Sequence, residues 1–434
     1  MYNPAQVSPA YRQTAGEGLV WSEYLYLIAV AVAAFCVVDP LSWGIDQIPE
    51  VKHLPLLFTL PAFILTMSGR RLGDLRSEPI LSRVIAPAWP LALLALFVIS
   101  GAVYVRVFGG VRETLLNLGL YMTFVFVSAA MVLASKVPEK LVRAYFAILL
   151  SAGLVMSAML VVNFRVQQVY HNEIFLVIPL AVYCALALKN PLLRIGGTIF
   201  FLSMAVFSAK NTSYLIALLA LLYLGYGFWL PRLLRTNPLK RFSGYYLIFV
   251  ILLLLGVFVL FLLAFREAYL PSGNPEYRLH AYTIAWNRFL DSPLWGTAFA
   301  DRAVEKFALY EIAAAGGVLP THSDIMDLLA HGGLIAIWLW LYGLFLVARA
   351  GNRTLLTPTT YDHGWTPYAH TFAMLSLSAI IVYAFNPILT MPGMAYFVWT
   401  NLGFLLGLSL RLEAIPAPKV TPPRPLGRYE LKRL

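Results

Sequence analysis

Twelve apolar runs, each long enough or nearly long enough to cross a bilayer, constrain this chain more than anything else in it. They fall at about 22–38, 53–68, 87–107, 115–134, 143–163, 173–188, 195–209, 212–230, 244–265, 332–348, 369–387 and 394–410. A helix needs roughly 20 apolar residues to cross the hydrocarbon. Backbone polar groups in lipid must bond within their own segment, so helices are the expected element. A barrel would need alternating strands of about ten residues, and these runs are continuously apolar. Only 12% of residues are charged and the mean hydropathy is +0.74, whereas about a quarter of a soluble domain is charged. The expected fold is an all-α polytopic membrane protein of about 12 transmembrane helices.

Lys and Arg set the orientation, because cytoplasmic loops retain them. With the N-terminus inside, the inner segments carry 22 Lys+Arg against 8 Asp+Glu, and the outer segments 10 against 13. The net charge of +11 therefore reflects membrane topology and anchoring to anionic lipid, not nucleic-acid binding. The inner clusters are Arg70, Arg71, Arg76 and Arg83; Lys136, Lys140 and Arg143; Arg232, Arg235, Lys240 and Arg241; and Arg424, Arg428, Lys432 and Arg433. Cys36 and Cys184 both fall inside spans, so neither a disulfide nor a metal site is expected.

The resulting organisation is an inner segment 1–21, spans over 22–265, one large outer segment 266–331, further spans over 332–410, and a basic, Pro-rich inner tail 411–434. The first apolar run is read as a retained span because it lacks a convincing cleavage site. Residues 349–368 read as a longer inner loop. The outer segment holds Arg266, Arg278, Arg288, Arg302, His280, His322 and His331. No ATP is available on that side, so chemistry there needs an already activated substrate. Within it, 276–292 reads as an amphipathic helix ended by Pro293, with a turn at Gly296. Its apolar surface is assigned to Leu279, Tyr282, Trp286 and Phe289. A second helix is expected to start near Thr321, with Thr321 or Ser323 as N-cap, and to run on into the span at Gly332.

Basic residues on the outer side run against the charge bias. These are Lys52, Arg106, Arg112, Arg165, Lys210, Arg266, Arg278, Arg288, Arg302 and Lys306; several of them converging would make a pocket for a diphosphate, since guanidinium groups bind phosphate oxygens bidentately. The alternative is that each snorkels to the interface. His322, just ahead of a span, is the best candidate for accepting a hydroxyl proton near neutral pH. Asp324, Asp327 and Glu276 are alternative bases or partners that set its tautomer. Asp324 and Asp327 also read, more simply, as the solvated edge of a helix. His171-Asn172-Glu173 could line the same cavity or cap a helix. His331 reads as packing on the loop, and Pro387 and Pro392 as shaping the turn near Asn386.

Arg278…Trp286…Pro293-Leu294-Trp295-Gly296, followed by His322-Ser323-Asp324…His331-Gly332-Gly333, resembles the O-antigen ligase and Wzy-type polymerase superfamily. The resemblance is good over 266–345 and looser over the hydropathy profile. Where that family commonly has Ser-Arg-Gly after an earlier span, this chain has Ser208-Ala209-Lys210-Asn211; lysine keeps the charge and loses the bidentate fork. The resemblance implies a GT-C-like glycosyltransferase of the bacterial inner membrane with its active loop in the periplasm. It implies transfer of a glycan from undecaprenyl diphosphate to a hydroxyl, inverting and without metal or cofactor. Lys210, Arg278, Arg165 and Arg288 would hold the diphosphate, and His322 would activate the acceptor. A chain-length regulator and a flippase are implied partners. A polymerase of lipid-linked repeat units is the first expectation, and a ligase moving polymer to lipid A core is the second. A flippase for the same lipid is the alternative of another class, disfavoured by the absence of repeat symmetry.

Overall fold

The computed structural model describes residues 18–40, 48, 51, 53–68, 79–109, 113–163, 173–208, 211–225, 274–300, 323–356, 365–386, 388–389 and 391–413. They form helices and turns, with no strand among the described residues. In chain order the helices are α1 (Trp21–Val38), α2 (Leu54–Ser68), α3 (Ile80–Ile85), α4 (Trp89–Gly109), α5 (Glu113–Met122), α6 (Phe124–Ala134), α7 (Pro138–Asn163), α8 (Ile174–Val177), α9 (Leu180–Ala187), α10 (Pro191–Ser208), α11 (Asn211–Leu224), α12 (Asn274–Asp291), α13 (Asp324–Leu356), α14 (Thr366–Phe385) and α15 (Pro392–Glu413).

Among the described residues, eight helices are long and apolar enough to cross a membrane, and three shorter apolar ones accompany them. The chain is a multi-pass membrane protein. Helices occupy eleven of the twelve apolar runs; the twelfth, 244–265, lies outside the described residues, as do the tail from 414 and the segment 1–17. Two runs carry an internal turn: one, Asn117–Ala134, is still long and apolar enough to cross a membrane as a single span, and the other, Ile174–Ala187, is a shorter apolar helix. The 115–134 run breaks at Thr123 between α5 and α6. The 173–188 run breaks at Ile178–Pro179 between α8 and α9. Proline supplies no N–H, so the Phe175 carbonyl loses its helical donor; the Ser378 hydroxyl of α14 donates to it at 2.9 Å. The expected inner loop 349–368 is also shorter than read, because α13 continues to Leu356 and α14 starts at Thr366.

The core is organised around α15, which is apolar on all sides and almost wholly buried. Gly403 and Gly407 let it approach α6 closely: a Cβ on Gly403 would lie 2.5 Å from the Val125 carbonyl oxygen, and one on Gly407 2.8 Å from the Val132 Cβ. Small residues four apart serve this purpose in membranes, where burial against lipid offers no hydrophobic drive. Polar bonds between helices fix the register. The Tyr26 hydroxyl donates to Ser128 Oγ at 2.7 Å, and the Tyr145 hydroxyl to Asn401 Oδ1 at 2.8 Å. Arg411 donates to the carbonyls of Leu133 and Ser135 at 3.0 and 2.7 Å, satisfying the C-terminal end of α6. α13 packs against α4, α14 and α15, and this ties the region around α12 to the core.

Candidate active site

α12 forms where the amphipathic pattern predicts it, and its end is followed by a tight turn. The Gly296 N–H donates to the Ser292 carbonyl at 2.8 Å, and Gly296 has φ +57°. Ala285 is fully buried against Ala330 and Met326 of α13, whereas Trp286 is 48% exposed. A small residue lies at the contact because α12 and α13 pack closely there.

The second helix starts at Asp324, with Ser323 as its cap: the Met326 N–H reaches Ser323 Oγ at 3.4 Å. It does not run unbroken into the span. Gly333 has φ +61° and ψ −160°, which no helix tolerates, and splits α13 into a short leading piece and a long span. The 293–299 segment takes up the backbone groups that the break releases. The N–H groups of Leu334 and Ile335 donate to the carbonyls of Pro293 and Leu294 at 2.9 and 3.2 Å, and the Phe299 N–H donates to the His331 carbonyl at 3.0 Å. Thr297 Oγ1 lies 3.2 Å from His331 Nδ1. The Phe299 ring meets Phe97 of α4 edge-on at 5.2 Å and covers Gly332.

The joint is tight enough to require its glycines. A Cβ on Gly296 would stand 2.6 Å from the Ala330 carbonyl oxygen, and one on Gly333 2.5 Å from that of Leu294. Ala298 and Phe299 both hold positive φ, +53° and +57°. This conformation costs a non-glycine residue roughly 1–2 kcal/mol, and the Phe299 bond and ring contacts hold it in place. Thus Pro293-Leu294-Trp295-Gly296 and His331-Gly332-Gly333 are two halves of one structural joint. His331 packs on the loop, as expected, and is buried.

The joint fixes the C-terminal end of α12 against the leading piece of α13. Arg278 and Glu276 lie on α12, in its first turns, and their side chains are outside the described residues. Arg288 lies in its last turn, partly exposed, where a cation suits the helix dipole. His322, Lys210 and Arg165 lie outside the described residues. Ser208 and Ser213, either side of Lys210 in the chain, join by a short hydroxyl–hydroxyl bond that ties α10 to α11. His171 is likewise outside the described residues, and Glu173 begins α8.

The solvated-edge reading of Asp324 and Asp327 is corrected: they are 1% and 8% exposed. Asp324 Oδ2 accepts the N–H groups of Ile388 and Leu389 at 2.8 and 2.9 Å. Pro392 starts α15, as expected of a residue shaping this turn; Pro387 lies outside the described residues. The carboxylate's link to Ile388 and Leu389 was not legible in the sequence, since 64 residues and two candidate spans separate the partners.

The fold and joint define a class: a polytopic membrane protein in which a short amphipathic helix is clasped to a glycine-broken span. Residues 196–341, about a third of the chain, match the family model Wzy_C, described as O-antigen ligase. The matched stretch runs from α10 into the span of α13. It includes both halves of the joint, Lys210, Arg278, Arg288, His322 and Asp324, and excludes Arg165. No curated protein matches the chain.

Proposed function

We propose that this protein is an inner-membrane polymerase that joins undecaprenyl-diphosphate-linked oligosaccharide repeat units at the periplasmic face. The observation that carries the reading is the match of 196–341 to a family of lipid-linked glycan transfer. Supporting it is the joint, which seats the arginine-bearing α12 beside the leading piece of α13. In this reading the 266–331 segment faces the periplasm and the 411–434 tail the cytoplasm.

The chemistry is a direct displacement. His322 takes the proton of the acceptor hydroxyl. The hydroxyl oxygen attacks the anomeric carbon as its bond to the phosphate oxygen breaks, and the configuration inverts. The lipid diphosphate leaves with the bonding electrons. Lys210, Arg278, Arg288 and Arg165 stabilise its charge. Arginines grip phosphate oxygens in pairs and lysine acts as a point charge. The leaving group is already good, so no metal or cofactor is assigned. A chain-length regulator and a flippase are the proposed protein partners.

The ligase reading is favoured by the family model's own description. One reconstitution separates the two. Purified protein is given a single repeat unit on undecaprenyl diphosphate, with and without lipid A core. A ladder of lengthened lipid-linked glycan supports the polymerase, transfer that requires lipid A core supports the ligase, and no product in either case rejects both.

A further inference from the structure

We propose that Asp324 is a positioning residue: its carboxylate seats the first turn of α13 on the turn before α15, and glycan transfer depends on that seat. The inference rests on the function proposed above and goes beyond it, naming a residue that acts through the backbone.

Oδ2 of Asp324 receives two consecutive main-chain N–H groups, from Ile388 at 2.8 Å and Leu389 at 2.9 Å. Successive amides aimed at one oxygen make a small anion-binding concavity, here filled from within the protein. The concavity is built by its sequence: Pro387 and Pro392 carry no N–H, and the Ile388 N–H also reaches the Asn386 carbonyl at 3.0 Å. It leads into α15, the most buried of the candidate spans among the described residues.

The leading piece of α13 is therefore held at both ends. Asp324 secures its start, and the bonds from 293–299 to 331–335 secure its finish. An element fixed at both ends suits a catalytic base carried just beyond its cap, and His322 is two residues before Asp324 in the chain. Positional errors of about 1 Å can cost about 100-fold in rate. Asp324 is 1% exposed, and its Oδ1 has no hydrogen-bond partner among the described residues. Tyr383 of α14, also buried, lies within electrostatic reach of it. Direct action as a base would require Asp324 to meet substrate, and its burial and occupied Oδ2 oppose that.

The test uses the full-length protein with Asp324→Ala and Asp324→Asn, read by steady-state transfer and by hydrogen exchange at Ile388 and Leu389. Asp324→Ala is expected to lower kcat about 100-fold while the donor KM stays within about threefold, with faster exchange at both amides. Asn keeps an oxygen acceptor, so Asp324→Asn is expected to recover at least about tenfold of the lost kcat and most of the protection. Wild-type kcat in Asp324→Ala overturns the proposal, and so does a raised KM with kcat retained. Asp324→Asn as inactive as Ala while the amides stay protected also overturns it, since charge and not position would then matter. Should Asp324→Ala fail to insert, the Asn variant decides by the same criteria. Absence of transfer in the wild type would instead reject the proposed function, and the exchange rates would still report on the seat.

Discussion

Gly333 and Leu294 meet backbone to backbone, so closely that a Cβ on Gly333 would lie 2.5 Å from the Leu294 carbonyl oxygen. That approach lets the Leu294 carbonyl accept the N–H of Ile335 and lets a membrane span begin on a borrowed first turn. Gly333→Ala adds both a steric overlap and a positive-φ penalty of about 1 kcal/mol. It should cost at least about 2 kcal/mol in all. Gly296→Ala should do likewise. Thermal unfolding in detergent and glycan transfer should both fall for the two variants. Gly196→Ala is the control: nothing lies within 4 Å of its added Cβ, so both measurements should stay at wild-type level.

His322→Ala should abolish polymer formation with protein level and insertion intact. Full activity in that variant would remove His322 from the mechanism.

Arg278→Ala should also abolish transfer. Arg278→Lys separates charge from geometry. A single point charge should retain part of the rate, whereas loss of the bidentate fork alone should lower it by about 10- to 100-fold. The readout is kcat/KM for the lipid-linked donor.

The turn between α8 and α9 makes a stability prediction remote from chemistry. Ser378→Ala leaves the Phe175 carbonyl buried with no donor from Pro179, at a cost of about 1–3 kcal/mol. The unfolding temperature should fall while kcat of the folded protein is unchanged. A variant as stable as wild type would show that another donor can reach that carbonyl.

Orientation can be read by labelling. Asp301→Cys should react with an impermeant thiol reagent added from outside in spheroplasts, against a low background, because Cys36 and Cys184 are both buried. Labelling from the cytoplasmic side alone would invert the topology.

Much of the scaffold was legible because lipid forces it. A run such as 143–163 has one way to satisfy its backbone, and α7 occupies it. α12 was readable from its amphipathic period and from Pro293, and the Ser323 cap from its place before an apolar run. The breaks were harder to see. Pro179 announces one, but its repair by Ser378 depends on a helix two hundred residues away. Gly332-Gly333 was visible as a motif, yet its meaning as the counterpart of Pro293–Gly296 requires knowing what packs on it. The contact of α12 with α13 was not legible for the same reason: Ala285 is buried there only because the two helices pack closely.

By itself, then, the sequence determined that this is a helical multi-pass membrane protein, where most of its helices lie, and which family model its 196–341 stretch matches. These follow from local properties: apolar length, charge bias and motif spacing. Only the tertiary structure decided that the two motif halves form one joint, and that Asp324 is buried against the amides of Ile388 and Leu389 instead of facing solvent. Both depend on backbone groups released by a break or a turn finding partners far away in the chain, and hydropathy carries no record of that pairing.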